Sequence, residues 1–126
     1  MELRENLYYS RTHEWVRVEG EKAYVGITDY AQQELGDIVF VELPDEDAEF
    51  AQDDRLAVVE SVKAAADIHA PLSGRVVEVN TALEDDPEEM NRAAFDAWIA
   101  VIEMQNPEEL KNLMSAEEYR QFVTEN

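Results

Sequence analysis

The 126-residue chain has no cysteine, few basic residues and no long apolar run. Without cysteine it forms neither disulfides nor thiolate metal sites, and any redox chemistry has to come from an added group. No segment approaches the roughly 20 apolar residues that a membrane-spanning helix needs. Residues 1–7 have neither the apolar core of a signal peptide nor the acid-poor composition of a transit peptide. We therefore expect a cytoplasmic location.

Basic residues are scarce, since ten of them stand against 30 acidic residues and leave a formal net charge of −20. A field of this sign repels phosphate backbones and anionic lipid surfaces, so we expect no nucleic-acid partner and no membrane. Protein partners should instead present basic patches. Because 45% of the residues are hydrophobic, the chain should still fold, as a single domain spanning residues 1–126.

The sequence also lacks the motifs of common catalytic sites. No Gly-x-Ser-x-Gly segment and no glycine-rich phosphate loop occur, and His13 and His69 are not spaced as metal ligands. The acidic segment at residues 45–54 lacks the alternating ligands and central glycine of an EF-hand. His13 and Glu14 could form an acid–base pair, but adjacent strand residues point to opposite faces. We therefore predict no catalytic residue, no metal site and no enzymatic activity of its own.

Apolar residues alternate with polar ones in several short segments, which predicts a mainly β protein. Residues 14–19 and 23–27 alternate around Gly20 as the two strands of a hairpin do. Residues 36–43 predict a further strand, and Pro44 and an acidic loop at 45–54 follow it.

Helices are predicted to be short. Residues 30–35 form one that Thr28 or Asp29 caps and Gly36 closes. Three other segments have a capping residue followed three positions later by a glutamate. Residues 86–89 predict a single helical turn, and residues 106–109 and 115–118 predict the starts of two C-terminal helices.

An internal repeat indicates how the strands are arranged. The segment at 36–41 is echoed at 74–79, and the segment at 56–60 is echoed at 99–103. An acidic loop separates the two strands in both copies. The repeat favours two similar halves folded onto each other as a sandwich of two sheets.

A lysine stands at the centre of residues 60–67, a short polar stretch between the apolar runs at 56–59 and 68–77. This pattern predicts that Lys63 lies at the tip of a hairpin. An ordinary solvated turn lysine would fit equally well. Covalent attachment of a group would also fit, because it requires an amine that is exposed and yet held in a defined place.

The surrounding motifs decide between these interpretations. They occupy residues 12–16, 25–31, 35–44, 60–64 and 70–74. In these motifs the chain resembles the glycine cleavage system H protein family, and the resemblance runs from about Tyr9 to Phe122, in order and with few gaps. A lysine hairpin alone would also fit a lipoyl domain of a 2-oxoacid dehydrogenase or a biotin carrier, but biotin carriers usually place methionines where Val62 and Ala64 stand.

The resemblance implies a lipoyl/biotinyl-type barrel-sandwich hybrid, with two antiparallel sheets and short helices, that carries lipoate in amide linkage on Lys63. It implies a monomeric shuttle that accepts an aminomethyl group from glycine decarboxylase and passes it to a tetrahydrofolate-dependent aminomethyltransferase. A dihydrolipoyl dehydrogenase would reoxidise the arm, and a lipoate-attaching enzyme would load it. Two alternatives stay open: relay of lipoate to other lipoyl proteins, or an unmodified acidic β-sandwich that serves as an interaction module.

The resemblance also implies a cleft that holds the loaded arm. Thr12, Glu14 and Asp67 occupy the matching positions, so we expect their hydroxyl and carboxylate groups to meet the aminomethyl ammonium. Three positions that usually hold glycine depart from the family, namely Asp47, Asp53 and Ala97. Aspartate tolerates a positive φ and alanine does not, so we expect an altered backbone beside Trp98.

Overall fold

The computed structural model describes residues 1–125, which form nine strands and a few short helices. The strands are β1 (Tyr8–Tyr9), β2 (Glu14–Glu19), β3 (Lys22–Ile27), β4 (Ile38–Glu42), β5 (Glu49–Phe50), β6 (Arg55–Ser61), β7 (Ala65–His69), β8 (Gly74–Val79) and β9 (Ala100–Met104). The helices are α1 (Asp29–Leu35), α2 (Ala82–Asp85), α3 (Glu89–Arg92), a 3₁₀ helix (Pro107–Asn112) and α4 (Ala116–Glu125).

The strands form two antiparallel sheets, as predicted from the sequence. The larger sheet has the order β1-β2-β3-β9-β8-β5 and the smaller one the order β4-β6-β7. The main core lies between them and is made of aliphatic side chains such as Val25, Ile38, Val59 and Ile102, all fully buried. Burying such a side chain stabilises the fold by about 1.5–3 kcal/mol.

The predicted repeat is confirmed by strand pairing. Strand β4 pairs with β6, and its counterpart β8 pairs with β9, the counterpart of β6. Each pair contains a register shift at the same place in the repeat, around Val39 in one copy and Val77 in the other. The two copies lie in different sheets, so the sandwich is built from two similar units although its sheets differ in size.

Several helix caps were predicted correctly. Helix α1 begins at Asp29, one residue earlier than expected, and the Thr28 hydroxyl caps it by accepting a hydrogen bond from the Ala31 N–H at 3.1 Å. Gly36 closes the helix with a φ of 78°, a conformation that favours glycine. At the C-terminus, Ser115 caps α4 as expected, since its hydroxyl accepts from the Glu118 N–H at 3.2 Å.

One local prediction was wrong, and another was right in part. The acidic segment at 45–54 is not all loop, because β5 within it pairs with the start of β8. The single turn predicted at residues 86–89 forms, since the Glu89 N–H donates to the Asp86 carbonyl at 3.2 Å, but helix α3 begins only at Glu89 and no side chain caps it. Asp86 precedes a proline, and its φ of −142° is extended, as expected for a residue just outside a helix.

The backbone φ angles at the three positions where the family usually has glycine are compatible with the residues found there. Asp47 and Asp53 adopt φ values of 70° and 77°, which aspartate tolerates better than most residues. Ala97 is buried and does not adopt a positive φ. Within residues 1–125, no helix is long and apolar enough to cross a membrane.

Candidate functional site

Lys63 lies in the turn that joins β6 to β7, at the free end of the smaller sheet. The Ser61 N–H donates to the Ala64 carbonyl at 2.7 Å, which closes the turn. The Ser61 hydroxyl accepts from the Ala64 N–H at 3.1 Å and from the Lys63 N–H at 3.3 Å. A serine at this position therefore uses one side chain to satisfy two backbone donors, and the turn is held in a single conformation.

The turn is also fastened to the neighbouring strand. The Val62 N–H donates to the Asp37 carbonyl at 3.0 Å, and Ser61 faces Ile38 across the β4–β6 ladder. The Lys63 side chain is exposed, and its amine forms no ion pair or hydrogen bond among residues 1–125. Its amine is therefore free on a rigid support, as covalent attachment requires.

Asn91 anchors the segment on which the turn rests. Its Oδ1 accepts from the Ile38 N–H at 2.9 Å, and its Nδ2 donates to the Gly36 carbonyl at 2.9 Å and to Gln32 Oε1 at 3.0 Å. One amide from α3 thus ties the end of α1 to the start of β4. The Asn91 amide and its three partners are thus all hydrogen-bonded within the protein, which fixes the segment that supports the lysine turn.

A groove of about 280 Å³ begins beside the lysine turn. One wall is α1, which ends at Leu35, and a Cβ added at the adjacent Gly36 would stand 3.6 Å from Lys63 Cε. The other wall is β7, which begins two residues after Lys63. The groove is lined mainly by apolar surface and carries two carboxylates, and its residues are Thr12, His13, Tyr30, Ala31, Glu34, Leu35, Ala66, Asp67 and Ile68.

The structure places two of the three predicted cleft residues in this groove and the third behind it. Thr12 and Asp67 line the groove and are exposed. Glu14 is fully buried and belongs to no part of the groove wall. The predicted contact of Glu14 with cargo is therefore not direct in this conformation, although Thr12, which lines the groove, donates a hydrogen bond to Glu14.

Glu14 is held by a closed set of donors. Its Oε1 accepts from the Ser10 hydroxyl at 2.5 Å and the Thr12 hydroxyl at 2.6 Å, and its Oε2 accepts from the His69 N–H at 3.1 Å. Burial raises the pKa of the Glu14 carboxyl above its ordinary value of 4.5, and these hydrogen bonds partly oppose the rise. The buried His69 Nδ1 lies 4.0 Å from Oε2 and has no hydrogen-bond partner in residues 1–125.

His13 closes the groove at the end near the C-terminal helix. It adopts a φ of 73°, which turns its ring between Tyr30 and Tyr119. Its Nδ1 lies 2.7 Å from the Tyr119 hydroxyl, which in turn lies 2.8 Å from the Thr28 hydroxyl. Burial lowers the pKa of His13, although the nearby carboxylate of Glu34 opposes the shift, so the ring is neutral at pH 7.

Sequence reasoning missed Tyr30 and Glu34 as groove residues. A signal was present, because positions i and i+4 of a helix share a face, and both residues lie on α1 at this spacing. His13 and Glu14 bind different partners and form no pair, but His13 precedes β2 and has a left-handed φ, so the strand alternation used in the prediction is not the reason. In the described part of the chain, no group of three or more histidine or acidic residues could hold a metal ion.

The structure has two antiparallel sheets that are built from two similar halves, and an exposed lysine lies on the β6–β7 turn. These features define a barrel-sandwich hybrid domain of the lipoyl/biotinyl type. The comparisons with known proteins identify the family within this class. The family model described as "Glycine cleavage H-protein" matches residues 7–126. The chain therefore belongs to the glycine cleavage H-protein family.

Relatives of nearly equal length support this assignment. A glycine cleavage system H protein of Thermoanaerobacter sp. (strain X514) is 54% identical over 125 residues, which cover 99% of each chain. Another, from Alkaliphilus oremlandii, is 57% identical over 116 residues, 92% of this chain and 91% of the relative. The crystal structure of a glycine cleavage system H protein from Mycobacterium marinum superposes with a TM-score of 0.87 at 31% identity, covering 97% of this chain and 99% of the other.

Proposed function

We propose that the protein is a lipoyl-carrying shuttle of the glycine cleavage system and that Lys63 is the attachment residue. The observation that carries this proposal is the placement of an exposed, unpaired amine on a hydrogen-bonded turn beside an apolar groove. A lipoyl group in amide linkage to Lys63 Nζ would supply the sulfur atoms that take up an aminomethyl group. The chain itself supplies no thiol, since it has no cysteine.

The residues present fit such a group. The turn around Lys63 contains only small neighbours on its β7 side, Ala64 and Ala65, so an attaching enzyme can approach the amine. The groove offers apolar surface from Leu35, Ala66 and Ile68, which suits a hydrocarbon chain and sulfur atoms. Both walls lead from the turn into the groove, so an arm on Lys63 can fold back along the protein.

Charge in the groove suits a cationic cargo. Asp67 is the third residue of β7 and follows Lys63 by four residues. Glu34 adds a second carboxylate from the opposite wall, and neither one is paired with a basic side chain within residues 1–125. An ammonium group in the groove would therefore gain charge-assisted contacts. Thr12 would contribute its oxygen, while buried Glu14 orients that hydroxyl by accepting a hydrogen bond from it.

The protein would serve several enzymes in turn without catalysing a reaction. Glycine decarboxylase would load the aminomethyl group, the tetrahydrofolate-dependent aminomethyltransferase would remove it, and dihydrolipoyl dehydrogenase would reoxidise the sulfur atoms. A lipoate-attaching enzyme has to act once beforehand. A cytoplasmic location and a monomeric state remain predictions.

The test is a reconstituted cycle. Lipoylated wild-type protein is combined with the three enzymes, glycine, tetrahydrofolate and NAD⁺, and release of carbon dioxide and ammonia is measured. We expect turnover with wild type and with Lys22→Arg, a matched change at another exposed lysine, and none with Lys63→Arg. Turnover supported by Lys63→Arg, or none with the lipoylated wild type, would overturn the proposal.

A further inference from the structure

One buried polar atom close to the groove has no partner. Within residues 1–125, His69 Nδ1 is the only buried side-chain nitrogen or oxygen that forms no hydrogen bond. Part of the ring reaches solvent, since 32% of the His69 side chain is exposed, but Nδ1 itself is enclosed. Folded proteins rarely leave such an atom unpaired. Nδ1 lies 4.0 Å from Oε2 of Glu14, a carboxyl without solvent exposure, so the charge of one group bears on the proton of the other.

Glu14 can accept one more hydrogen bond at this oxygen. Its Oε1 accepts from two hydroxyl groups, those of Ser10 and Thr12, whereas its Oε2 accepts only from the His69 N–H. Each carboxylate oxygen has two lone pairs, so one on Oε2 is unused. The residue whose backbone already donates to Oε2 also holds its ring nitrogen near that atom. A movement of about 1 Å would bring Nδ1 and Oε2 to hydrogen-bond distance.

The position of the ring proton decides whether this contact is favourable. A neutral histidine carries its proton on Nδ1 or on Nε2. With the proton on Nδ1, the His69 ring presents a donor to Glu14, whereas with the proton on Nε2 a lone pair would face a buried negative charge. Three hydrogen bonds favour the charged form of Glu14, so the Nδ1–H tautomer is the one that fits. Burial raises the pKa of Glu14, and attraction to His69 opposes the rise.

The groups around this pair favour a neutral ring on His69. Arg55 faces His69 across the β6–β7 ladder, and its guanidinium opposes a second positive charge on the ring. The Tyr119 hydroxyl on α4 adds no negative charge, because burial raises the pKa of this group. The carboxylate of Asp67, two residues before His69 on β7, is exposed, so water screens its effect. The neutral ring has one proton to place, and the charge on Glu14 attracts it to Nδ1.

Thr12 connects this pair with the groove. When its hydroxyl donates to Glu14, the oxygen lone pairs of Thr12 are left for a cation in the groove. If Glu14 were neutral, the Thr12 hydroxyl would be free to turn and present its proton to the groove, which would repel a cation. We infer that His69 is a positioning residue for the cargo: its Nδ1–H keeps Glu14 anionic, and Glu14 keeps the lone pairs of Thr12 directed at the ammonium group. This inference rests on the proposed function.

The first test determines where the ring proton lies. Nitrogen-15 NMR of the unlipoylated chain distinguishes a protonated Nδ1 from a bare one, at about pH 8, where an ordinary histidine is neutral. We expect wild-type His69 to carry its proton on Nδ1. Glu14→Gln should shift the balance toward the Nε2–H tautomer, whereas Glu78→Gln on β8 should match wild type. A bare Nδ1 in wild type, or a tautomer unaffected by Glu14→Gln, would overturn the inference and leave the proposed function intact.

The second test asks whether the ring controls the cargo. The amide nitrogen of His69→Asn can occupy the position of Nδ1, and that of His69→Gln the position of Nε2, so the two variants are a matched pair. Each lipoylated protein is loaded by glycine decarboxylase and then freed of the enzyme. Hydrolysis of the aminomethyl group to the free thiol, formaldehyde and ammonium is then timed by the formaldehyde released.

Only the variant that keeps a donor at Nδ1 should retain its cargo normally. We expect a wild-type lifetime with His69→Asn and a lifetime about threefold shorter, or less, with His69→Gln, as loss of a charge-assisted contact would produce. Equal lifetimes for the two variants would contradict the role of His69 without touching the assignment of Lys63. Failure of wild type to be lipoylated would overturn the proposed function, and the role of His69 in holding cargo would fall with it.

Discussion

Glu14 offers the sharpest thermodynamic test of the site, because it is a carboxylate without solvent exposure that accepts three hydrogen bonds. Replacing it by alanine leaves the His69 N–H without an acceptor, which costs about 1–3 kcal/mol. The Ser10 hydroxyl keeps its bond from the residue-14 N–H at 2.9 Å, and exposed Thr12 can turn to water. Truncation of the side chain leaves a cavity, which lowers the free energy of unfolding further. Removal of a buried charge raises the free energy of unfolding and so offsets part of this decrease. We expect Glu14→Ala to lower the free energy of unfolding by about 2 kcal/mol at pH 7.

The glutamine variant separates charge from shape. Because burial raises the pKa of Glu14 in the folded state, the folded protein binds more protons than the unfolded chain above pH 4.5. The contribution of Glu14 to the unfolding free energy therefore falls as pH rises from 4.5 through the raised folded-state pKa. Glu14→Gln does not titrate. Its stability relative to wild type should improve as pH rises, by up to about 1.4 kcal/mol for each unit by which the pKa is raised.

Urea denaturation followed by the fluorescence of the two tryptophans, Trp15 and Trp98, measures this difference. Dilute protein at pH values between about 5 and 8 avoids precipitation near the isoelectric point of 4.1. Global charge effects cancel when Glu14→Gln is compared with Glu78→Gln, an exposed glutamate on β8. A difference between Glu14→Gln and wild type that stays constant over this range would contradict a raised pKa for Glu14.

Three further changes test other parts of the account. Tyr119→Phe removes a hydroxyl that lies 2.8 Å from the Thr28 hydroxyl, so we expect a loss of about 1–2 kcal/mol in urea denaturation; faster hydrogen exchange in α4 should accompany it, and unchanged exchange would contradict this anchoring role. Asn91→Ala leaves the Ile38 N–H without its acceptor and should lower the unfolding free energy by about 2–3 kcal/mol; a wild-type Tm would contradict it. Asp67→Asn should shorten the lifetime of the loaded aminomethyl group several-fold, and an equal lifetime would remove Asp67 from the site.

The fold was largely predictable from the sequence because its signals are local and repeated. Alternating residues predicted the β2–β3 hairpin, and the echo of residues 36–41 at 74–79 predicted two similar halves, which the structure confirms as strand pairs β4–β6 and β8–β9. The pairing of β5 with β8 was not predictable, since Glu49 and Phe50 carry no strand pattern and pair only because the chain returns to β8. Such tertiary pairing overrides local propensity.

The site was predictable in part for the same reason. The position of Lys63 at a hairpin tip follows from the two flanking apolar runs, and the structure confirms the turn. The burial of Glu14 could not be foreseen, because it depends on donors from Ser10 and from His69, 55 residues away. The exposure of Val39 and Phe40 also depends on the partner strand, because the β4–β6 register shifts there. Side-chain direction at these positions is a property of the folded sheet rather than of the local sequence.

The most direct test of the central claim is the mass of the intact protein after expression in a host that lipoylates proteins. Wild type should gain the mass of one lipoyl group, and peptide mapping should locate this group on Lys63. Lys63→Arg should show no gain, while Lys22→Arg should match wild type. An unmodified wild-type chain from a host that lipoylates its own proteins, or a lipoyl group on another residue, would contradict the assignment of Lys63 as the carrier residue.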